Sequence, residues 1–232
     1  MAPPDPRATI RAVTPAGPAF AGLSLDAFTR RLASEEPTPG GGSASAVAGS
    51  LAAALLSMVA ALSRGRSTYE PYVQTLERAG AVGDDARSRL LALADDDAAA
   101  YDGFTAARKL PKTTAAETET RQAVMRRAAR AATEVPLEII RAARLVAVEL
   151  EALSGRCNLN CASDLLVGSL LVEAAARGAA ANVQVNLRFI GDPAYEAAAI
   201  AESTDSLALI EDLTAQVREM VGGGRLREPE KV

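Results

Sequence analysis

Residues 43–62 contain no charged side chain over twenty consecutive positions and read SASAVAGSLAAALLSMVAAL. A helix of this length is long enough to cross a bilayer. Ala, Ser and Gly dominate the stretch, however, and they contribute little transfer free energy compared with Leu, Ile and Phe. Small residues recur along one seam with a period of seven: Ser43, Ala46, Ser50, Ala53, Ser57 and Ala60. Because such a seam lets two helix backbones approach closely, we predict a buried central helix rather than a membrane span.

The composition favours helices over sheets. Hydrophobic residues make up 49% of the chain, but aromatic residues only 3%, and there is no Trp. Alanine supplies much of the apolar fraction, and it is the strongest helix former because it loses no side-chain entropy on ordering. The predicted fold class is therefore all-α, a single domain of long packed helices over residues 22–221. A flexible N-terminal tail is predicted for residues 1–21 and a frayed C-terminal tail for residues 222–232.

Local signals divide this domain into helices. A 3-4 spacing of small and apolar residues predicts a long helix over residues 72–104. The candidate N-cap residues are Ser43, Thr114 and either Ser163 or Asp164. Thr114 also opens a T-x-x-E capping box. Pro136 is expected to break the following helix or to start a new first turn, because proline lacks the N–H that an interior helical position donates.

The absence of histidine narrows the chemistry. Without His, a Ser-His-Asp triad, a Cys-His dyad and a His-liganded metal site are all excluded. Cys157 and Cys161 have no further Cys to complete a zinc site, so we predict no metal, and their number fits a reduced, cytoplasmic setting. The formal net charge of −4 does not favour a nucleic-acid partner. Acid–base chemistry must come from carboxylates, Lys, Tyr or backbone groups.

The turn PTPGGGS precedes the uncharged helix. It is not a Walker loop, because no G-K-[ST] follows the glycines. Glycines can expose bare N–H groups at a helix start, where oriented donors and the helix dipole attract carboxylate or phosphate. The candidate binding residues are Gly40, Gly41, Gly42 and Ser43. The alternative is a tight turn that serves only close packing.

Asp97 is the strongest candidate for proton transfer. It lies on the apolar stripe of its helix, between Leu93 and Phe104, whereas its acidic neighbours do not. Desolvation would raise the pKa of a carboxyl placed there and suit it to acid–base work. The alternative is a structural Asp bonded to a neighbouring helix. Lys112 follows a helix end and is either a second catalytic group or a solvated loop lysine.

Amides are concentrated in two places. The loop RCNLNCASD contains Asn158, Asn160, Ser163 and Asp164, which suit either recognition of a heteroaromatic amide or simple capping and turn formation. Asn182 and Asn186 share one helix face further along. At ~1.5 Å rise per residue, Asp164 and Asn182 lie roughly 27 Å apart and cannot line one small site in a single subunit. They have separate functions, or the site forms between subunits.

Several motifs occur here in a fixed order: PTPGGGSASAVAGSLAAALLSMVAALS, DDDAAAYDGF, RKLPK, EVPLEI, NLNCASD and ARGAAANVQVNL. Together they resemble the cyclodeaminase/cyclohydrolase family, over residues from about 22 to 220. The family includes the C-terminal domain of formiminotransferase-cyclodeaminase and stand-alone bacterial methenyltetrahydrofolate cyclohydrolases. The resemblance implies an all-α subunit, a homodimer and a tetrahydrofolate ligand, with no metal, no tightly bound cofactor, and neither nucleic acid nor membrane as a partner.

The resemblance also implies roles for residues. The glycine turn with Ser43 matches the family's glycine turn, Asp97 its acid and Lys112 its R-L-P-K lysine. The two amide-rich segments match its N-x-N-x-x-S-D and N-V-x-x-N-L motifs. One departure concerns the family's G-K-K-K-Y, which here reads Gly-Arg66-Ser-Thr-Tyr69. Arg66 keeps one positive charge for a folate glutamate tail, but cannot readily lose a proton as Lys can.

Three functions follow from this resemblance. The first is a methenyltetrahydrofolate cyclohydrolase, in which Asp97 transfers the proton and Lys112 assists as an acid or holds a carboxylate. The second is a formimidoyltetrahydrofolate cyclodeaminase that releases ammonia. The third, motivated by the lost lysines, is an inactive folate-binding or structural helical dimer.

Overall fold

The computed structural model describes residues 19–229. Its helices are α1 (Leu25–Leu32), α2 (Gly41–Ser63), α3 (Val73–Arg108), α4 (Ala115–Leu153), α5 (Ala162–Leu187) and α6 (Pro193–Gly223). Three 3-10 turns, Phe20–Gly22, Ser67–Tyr72 and Leu159–Cys161, lie between or before them. No strand occurs within residues 19–229, so the all-α prediction is confirmed for this part of the chain.

Helix α2 lies at the centre of the bundle and packs against α3, α5 and α4. Its serine seam donates hydrogen bonds to backbone carbonyls of α3 at heptad steps: Ser43 to Ala94 (2.9 Å), Ser50 to Arg87 (3.0 Å) and Ser57 to Gly80 (3.4 Å). Each step of seven residues forward along α2 pairs with a step of seven residues backward along α3, so the two helices are antiparallel. A Cβ at Gly83 would lie 2.9 Å from the carbonyl oxygen of Ala53, which shows how closely the backbones approach. The predicted buried seam is confirmed.

The opposite face of α2 is apolar and open. It forms an apolar stripe of Val47, Leu51, Leu55, Met58 and Leu62, of which Leu51 is 50% and Leu62 is 44% exposed. By length and composition alone, Gly41–Ser63 and Leu159–Leu187 could each cross a membrane. Half of the apolar window of α2 is nevertheless buried inside the bundle, as in the core helix of a helical domain.

The predicted N-caps of α2 and α5 are wrong, whereas that of α4 is confirmed. Gly40 is the N-cap of α2, so Ser43 lies inside the first turn with its hydroxyl turned towards α3. Neither Ser163 nor Asp164 caps α5, because the 3-10 turn Leu159–Cys161 leads directly into that helix at Ala162. Thr114 caps α4, and the predicted capping box with Glu117 is present.

Pro136 does not break α4, which continues from Ala115 to Leu153. Proline cannot donate a hydrogen bond to the carbonyl of Ala132, four residues earlier. That carbonyl accepts a hydrogen bond from the side-chain amide of Asn186 on α5 instead, at 2.7 Å. The prediction of a break was wrong because a partner from another helix satisfies the freed carbonyl.

The two predicted tails lie partly outside the described residues, which exclude 1–18 and 230–232. At the N-terminal side, Phe20 is buried and packs edge-on against Phe28, with ring centroids 5.7 Å apart. At the C-terminal side, the backbone of Arg227 is held by Gly155 and by the hydroxyl of Tyr72. These contacts fasten both chain ends of the described region to the bundle.

Candidate functional site

A cavity of about 240 Å³ opens at the N-terminal end of α2, and we call it the glycine-turn pocket. The loop before α2 and its first turn contribute Pro37, Thr38, Gly40, Gly41 and Gly42. The other three helices contribute Asp97, Ala100, Tyr101 and Phe104 from α3, Ala132 from α4, and Asn182 and Asn186 from α5. The pocket thus joins four helices and unites the glycine turn, Asp97 and the late asparagines predicted from sequence.

Asp97 is held against the first turn of α2. Its Oδ2 accepts hydrogen bonds from the Ser43 backbone N–H at 2.8 Å and from the Ser43 hydroxyl at 2.9 Å. Burial raises the pKa of Asp97 above its usual range, and the two Ser43 hydrogen bonds oppose that rise by favouring the ionised form. A raised pKa suits this carboxyl to proton transfer.

Gly42 makes this contact sterically feasible. A Cβ at position 42 would lie 2.5 Å from Cγ and 2.8 Å from Oδ2 of Asp97. By contrast, a Cβ at Gly41 would meet its nearest neighbour, Nδ2 of Asn182, at 3.8 Å. The last two glycines of the turn therefore differ: position 42 must lack a side chain for Asp97 to reach Ser43, and position 41 need not.

The two asparagines of α5 have defined amide orientations. Asn182 donates from Nδ2 to the carbonyl of Gly178 at 2.8 Å, and Asn186 donates from Nδ2 to the carbonyl of Ala132 at 2.7 Å. Both side chains line the pocket. Each amide thus uses one of its two N–H donors on a backbone carbonyl, and its oxygen is directed away from that carbonyl and can accept a hydrogen bond from a ligand.

Aromatic side chains form the apolar wall of the pocket, which the sequence reasoning missed. Tyr101 and Phe104 follow Asp97 by four and seven residues, so they share its helix face. Phe104 also packs on Phe189, with ring centroids 5.0 Å apart. The i+4 and i+7 spacing from Asp97 is the signal that could have identified this wall, which suits a flat ring.

Two further predicted residues, Arg66 and Tyr69, line a cavity of about 480 Å³ at the other end of α2, which we call the arginine pocket. It is lined by Arg64, Gly65, Arg66, Ser67, Tyr69, Glu70, Val73 and Leu76. The hydroxyl of Tyr69 accepts the N–H of Leu159 at 3.4 Å. The two arginines outnumber the single glutamate, so this pocket is suited to anions.

The amide-rich loop borders the arginine pocket. Asn158 is buried, and its side-chain oxygen accepts the backbone N–H of Asn160, a local capping contact. Burial raises the pKa of the Cys161 thiol, which Asp164 raises further and Arg66 lowers, so both charges lie near that sulfur. Asn160 and Ser163 are exposed.

The predicted site residues thus divide into two groups, one at each end of α2. Ser43 and Ser63 mark the ends, and a helix of that length places them roughly 30 Å apart. Lys112 belongs to neither group: it is exposed on the loop between α3 and α4 and does not line the glycine-turn pocket. The departure at Arg66 therefore lies far from Asp97 within one subunit.

Sequence comparison identifies the family. The sequence model of formiminotransferase-cyclodeaminase matches residues 24–205. The chain belongs to this family. A methenyltetrahydrofolate cyclohydrolase from Methylorubrum extorquens is 35% identical over 198 residues, which are 85% of this chain and 95% of that protein. The formimidoyltransferase-cyclodeaminase of Gallus gallus is 36% identical over 172 residues, 74% of this chain.

A solved structure of the same family has a similar fold. The crystal structure of formiminotetrahydrofolate cyclodeaminase from Thermotoga maritima superposes with a TM-score of 0.79 at 32% identity, covering 88% of this chain and 98% of that one. The chain spans only 32% of the length of the Gallus gallus relative. The similarity to that relative therefore concerns about a third of its length, whereas the Methylorubrum extorquens and Thermotoga maritima proteins are matched almost completely. Within residues 19–229, no three His, Cys, Asp or Glu side chains cluster in a way that could hold a metal ion.

Proposed function

We propose that this protein is a methenyltetrahydrofolate cyclohydrolase, which converts 5,10-methenyltetrahydrofolate and water into 10-formyltetrahydrofolate. The relative that bears this name matches nearly along its whole length. The observation that carries the proposal is the charge of the glycine-turn pocket. Of the described residues that line it, Asp97 alone has a charged side chain. An isolated, half-buried carboxyl complements the cationic amidinium of a methenyl folate.

The reaction needs one group that first accepts and then returns a proton. As a carboxylate, Asp97 takes a proton from the water whose oxygen attacks the bridging carbon between N5 and N10. The neutral carboxyl then donates that proton to N5 as the carbon–N5 bond breaks. The added hydroxyl releases its own proton to solvent as it becomes the formyl oxygen. A raised pKa suits both steps, and the reaction needs no tightly bound cofactor.

The other residues of the pocket bind the substrate. The asparagine oxygens on α5 accept hydrogen bonds from ring N–H groups, and Tyr101 and Phe104 contact the flat ring. The free N–H groups of Gly41 and Gly42 at the start of α2 suit a carbonyl oxygen. Lys112 assists as an acid, or holds a carboxylate, only after the loop between α3 and α4 moves towards the pocket.

A second candidate is the cyclodeaminase reaction, in which N10 attacks the formimino carbon and ammonia leaves after protonation. The similarity to the Thermotoga maritima enzyme favours it. A third candidate, a folate-binding dimer without activity, is motivated by Arg66-Ser67-Thr68, which stands where the resemblance implies the lysines of a G-K-K-K-Y motif.

One pair of assays separates these functions. The decay of 5,10-methenyltetrahydrofolate absorbance should be accelerated by the protein and much less by Asp97→Asn. Ammonia release from 5-formiminotetrahydrofolate would establish the second reaction instead. Folate binding without turnover of either substrate would leave only the third function. Equal methenyl decay with both proteins would remove Asp97 from the mechanism.

We also propose that the protein is a homodimer whose sites are shared between subunits. The substrate's glutamate carboxylates need cations, and the glycine-turn pocket has none among its described lining residues. The arginine pocket provides them, but at the other end of the same α2. A second copy packed antiparallel across the apolar stripe would bring its own arginine pocket beside Asp97.

The surface of α2 supports this arrangement. Large exposed apolar patches mark interaction sites, and the stripe has no charge along its length. It continues onto α5 through Val167 and Leu170, which are 47% and 50% exposed. A twofold axis across the middle of α2 buries the same stripe on both copies. Leu51→Asp at the stripe should give a monomer by light scattering, whereas binding of the wild type to lipid vesicles would assign the stripe to a membrane.

Mixed dimers test the shared site. Asp97→Asn and Arg66→Glu chains, co-expressed with different tags and purified through both, form dimers in which one site has both defects and the other has none. Such dimers should show about half of the wild-type activity. If each site lay within one chain, every site would keep one defect, and activity would stay at the level of the single variants.

A further inference from the structure

The centre of α4 departs from regular helical bonding. Pro136 is buried there and has no N–H, so the carbonyl of Ala132 has no partner within the helix. Ala132 is only 9% exposed, and an unpaired carbonyl in such a place is destabilising. Asn186, which lies on α5, donates from Nδ2 to this carbonyl at 2.7 Å and so gives it a partner. The proline and the asparagine therefore complement each other across two helices.

This bond decides which way the amide of Asn186 points. A carbonyl only accepts hydrogen bonds, so the amide must turn its nitrogen towards Ala132 and its oxygen away. No protein donor within residues 19–229 reaches Oδ1 of Asn186, and no side-chain oxygen among them is both buried and unpaired. Because Asn186 lines the glycine-turn pocket, its oxygen is open to a ligand there.

We propose that Pro136 is a positioning residue: by leaving the Ala132 carbonyl free, it fixes the Asn186 amide so that the pocket presents an acceptor to ring N–H groups of its ligand. The ligand class is a flat heterocycle with N–H donors, such as the aminopyrimidinone ring of a folate, and in this respect the inference rests on the proposed function. Asn182 presents a second amide oxygen in the same way, through its bond to Gly178. Two adjacent acceptors favour a donor-bearing ring edge over an acceptor-bearing one.

An alanine at position 136 would restore the N–H. The carbonyl of Ala132 would then accept the ordinary helical bond, and the hold on Asn186 would weaken. A 180° flip of the amide would point Nδ2 at the ligand, donor against donor. A proline inside a helix is also intrinsically unfavourable, which should offset the loss of its buried ring atoms, so the Pro136→Ala change should not destabilise the fold.

Kinetics of Pro136→Ala test the positioning role. We expect an unchanged or higher Tm, a KM for 5,10-methenyltetrahydrofolate about 3- to 10-fold higher, and a kcat within twofold of wild type. Val135→Ala, one position earlier, controls for general loosening of α4 because Val135 packs partly buried against the core. It should lower Tm and leave KM unchanged. A Pro136→Ala enzyme with wild-type KM would overturn the proposal.

A stability cycle tests the same contact without a substrate. Asn186→Ala should lower Tm in the wild-type background, because it orphans the Ala132 carbonyl. In the Pro136→Ala background the same change should lower Tm much less, because the helix satisfies that carbonyl. Equal losses in both backgrounds would refute the coupling. If the wild type turned over neither folate, the proposed function would fail while this cycle still decided the orientation of Asn186.

Discussion

The contact between Gly42 and Asp97 leads to a quantitative prediction for Gly42→Ala. The new Cβ would lie 2.5 Å from Cγ of Asp97, so the carboxyl must rotate away. Its hydrogen bonds to the Ser43 N–H and hydroxyl, at 2.8 and 2.9 Å, would be lost. Two hydrogen bonds to a charged acceptor contribute about 3–6 kcal/mol, and replacing Gly by Ala in a helix returns up to about 1 kcal/mol.

The expected net destabilisation of Gly42→Ala is smaller, about 1–3 kcal/mol, because the Ser43 hydroxyl is shared with the Ala94 carbonyl and the displaced carboxylate regains hydration that burial had removed. For a domain of this size, the corresponding fall in Tm is roughly 2–12 °C. The protein should still fold, because a side-chain end moves more easily than backbone. Displacement of the acid–base group by about 1 Å should lower kcat/KM by about 100-fold.

The neighbouring position supplies a matched control. Gly41→Ala adds the same methyl group one residue earlier, where the nearest atom is 3.8 Å away, so Tm and kcat/KM should remain near wild type. In an Asp97→Ala background, Gly42→Ala should not lower Tm further, because no carboxylate remains to be displaced. Calorimetric unfolding and the methenyl absorbance assay measure both effects. If Gly42→Ala and Gly41→Ala were equally active, the Asp97–Ser43 contact would have no part in catalysis.

Three further predictions follow from the same packing. Burial raises the pKa of Asp97 in the folded protein, so ionisation of this carboxyl destabilises the fold as pH rises. Asp97→Asn should therefore raise Tm at pH 7, and the gain should shrink as pH falls through the pKa of Asp97. The same variant should lower turnover at least about 100-fold. A lower Tm for Asp97→Asn than for the wild type at pH 7 would contradict the predicted gain in stability. Ser43→Ala removes a hydrogen bond that lowers the pKa of Asp97, so the acid limb of the pH dependence of kcat/KM should move to higher pH, and an unmoved limb would exclude Asp97 as the titrating group. Gly83→Ala would place a Cβ 2.9 Å from the Ala53 carbonyl and push α2 from α3, with an expected loss of about 1–3 kcal/mol in denaturant unfolding, whereas Gly103→Ala, with no atom within 4 Å, should show none.

Much of the site was predictable because its signals are local. The 3.6-residue period placed Asp97 on the buried stripe of α3, and burial beside Ser43 followed. The same reasoning placed Asn182 and Asn186 on one face of α5, where both line the glycine-turn pocket. Capping signals were less reliable: Thr114 caps α4, but Ser43 does not cap α2, because α3 competes for its hydroxyl.

The failures have a common cause, which is a partner contributed by a distant part of the chain. Pro136 was expected to interrupt α4. No local pattern indicates that Asn186, fifty residues later, donates to the Ala132 carbonyl in place of the N–H that proline lacks. Lys112 was predicted to be either a second catalytic group or a solvated loop lysine, and it lies on an exposed loop outside the glycine-turn pocket. Local sequence indicates helical propensity and which residues share a helix face. It does not indicate which carbonyl on another helix lacks a partner.

The sequence by itself determined that the chain is all-α, that the uncharged stretch is a central helix with a seam of small residues, and that any acid–base chemistry must do without histidine. These properties follow from composition and periodicity, which act along the chain. Only the tertiary structure decided that the predicted site divides between the two ends of α2, with Asp97 at one end and Arg66 at the other. The physical reason is the length of α2 itself: a rigid helix of 23 residues keeps its ends apart, so packing alone settles which side chains meet.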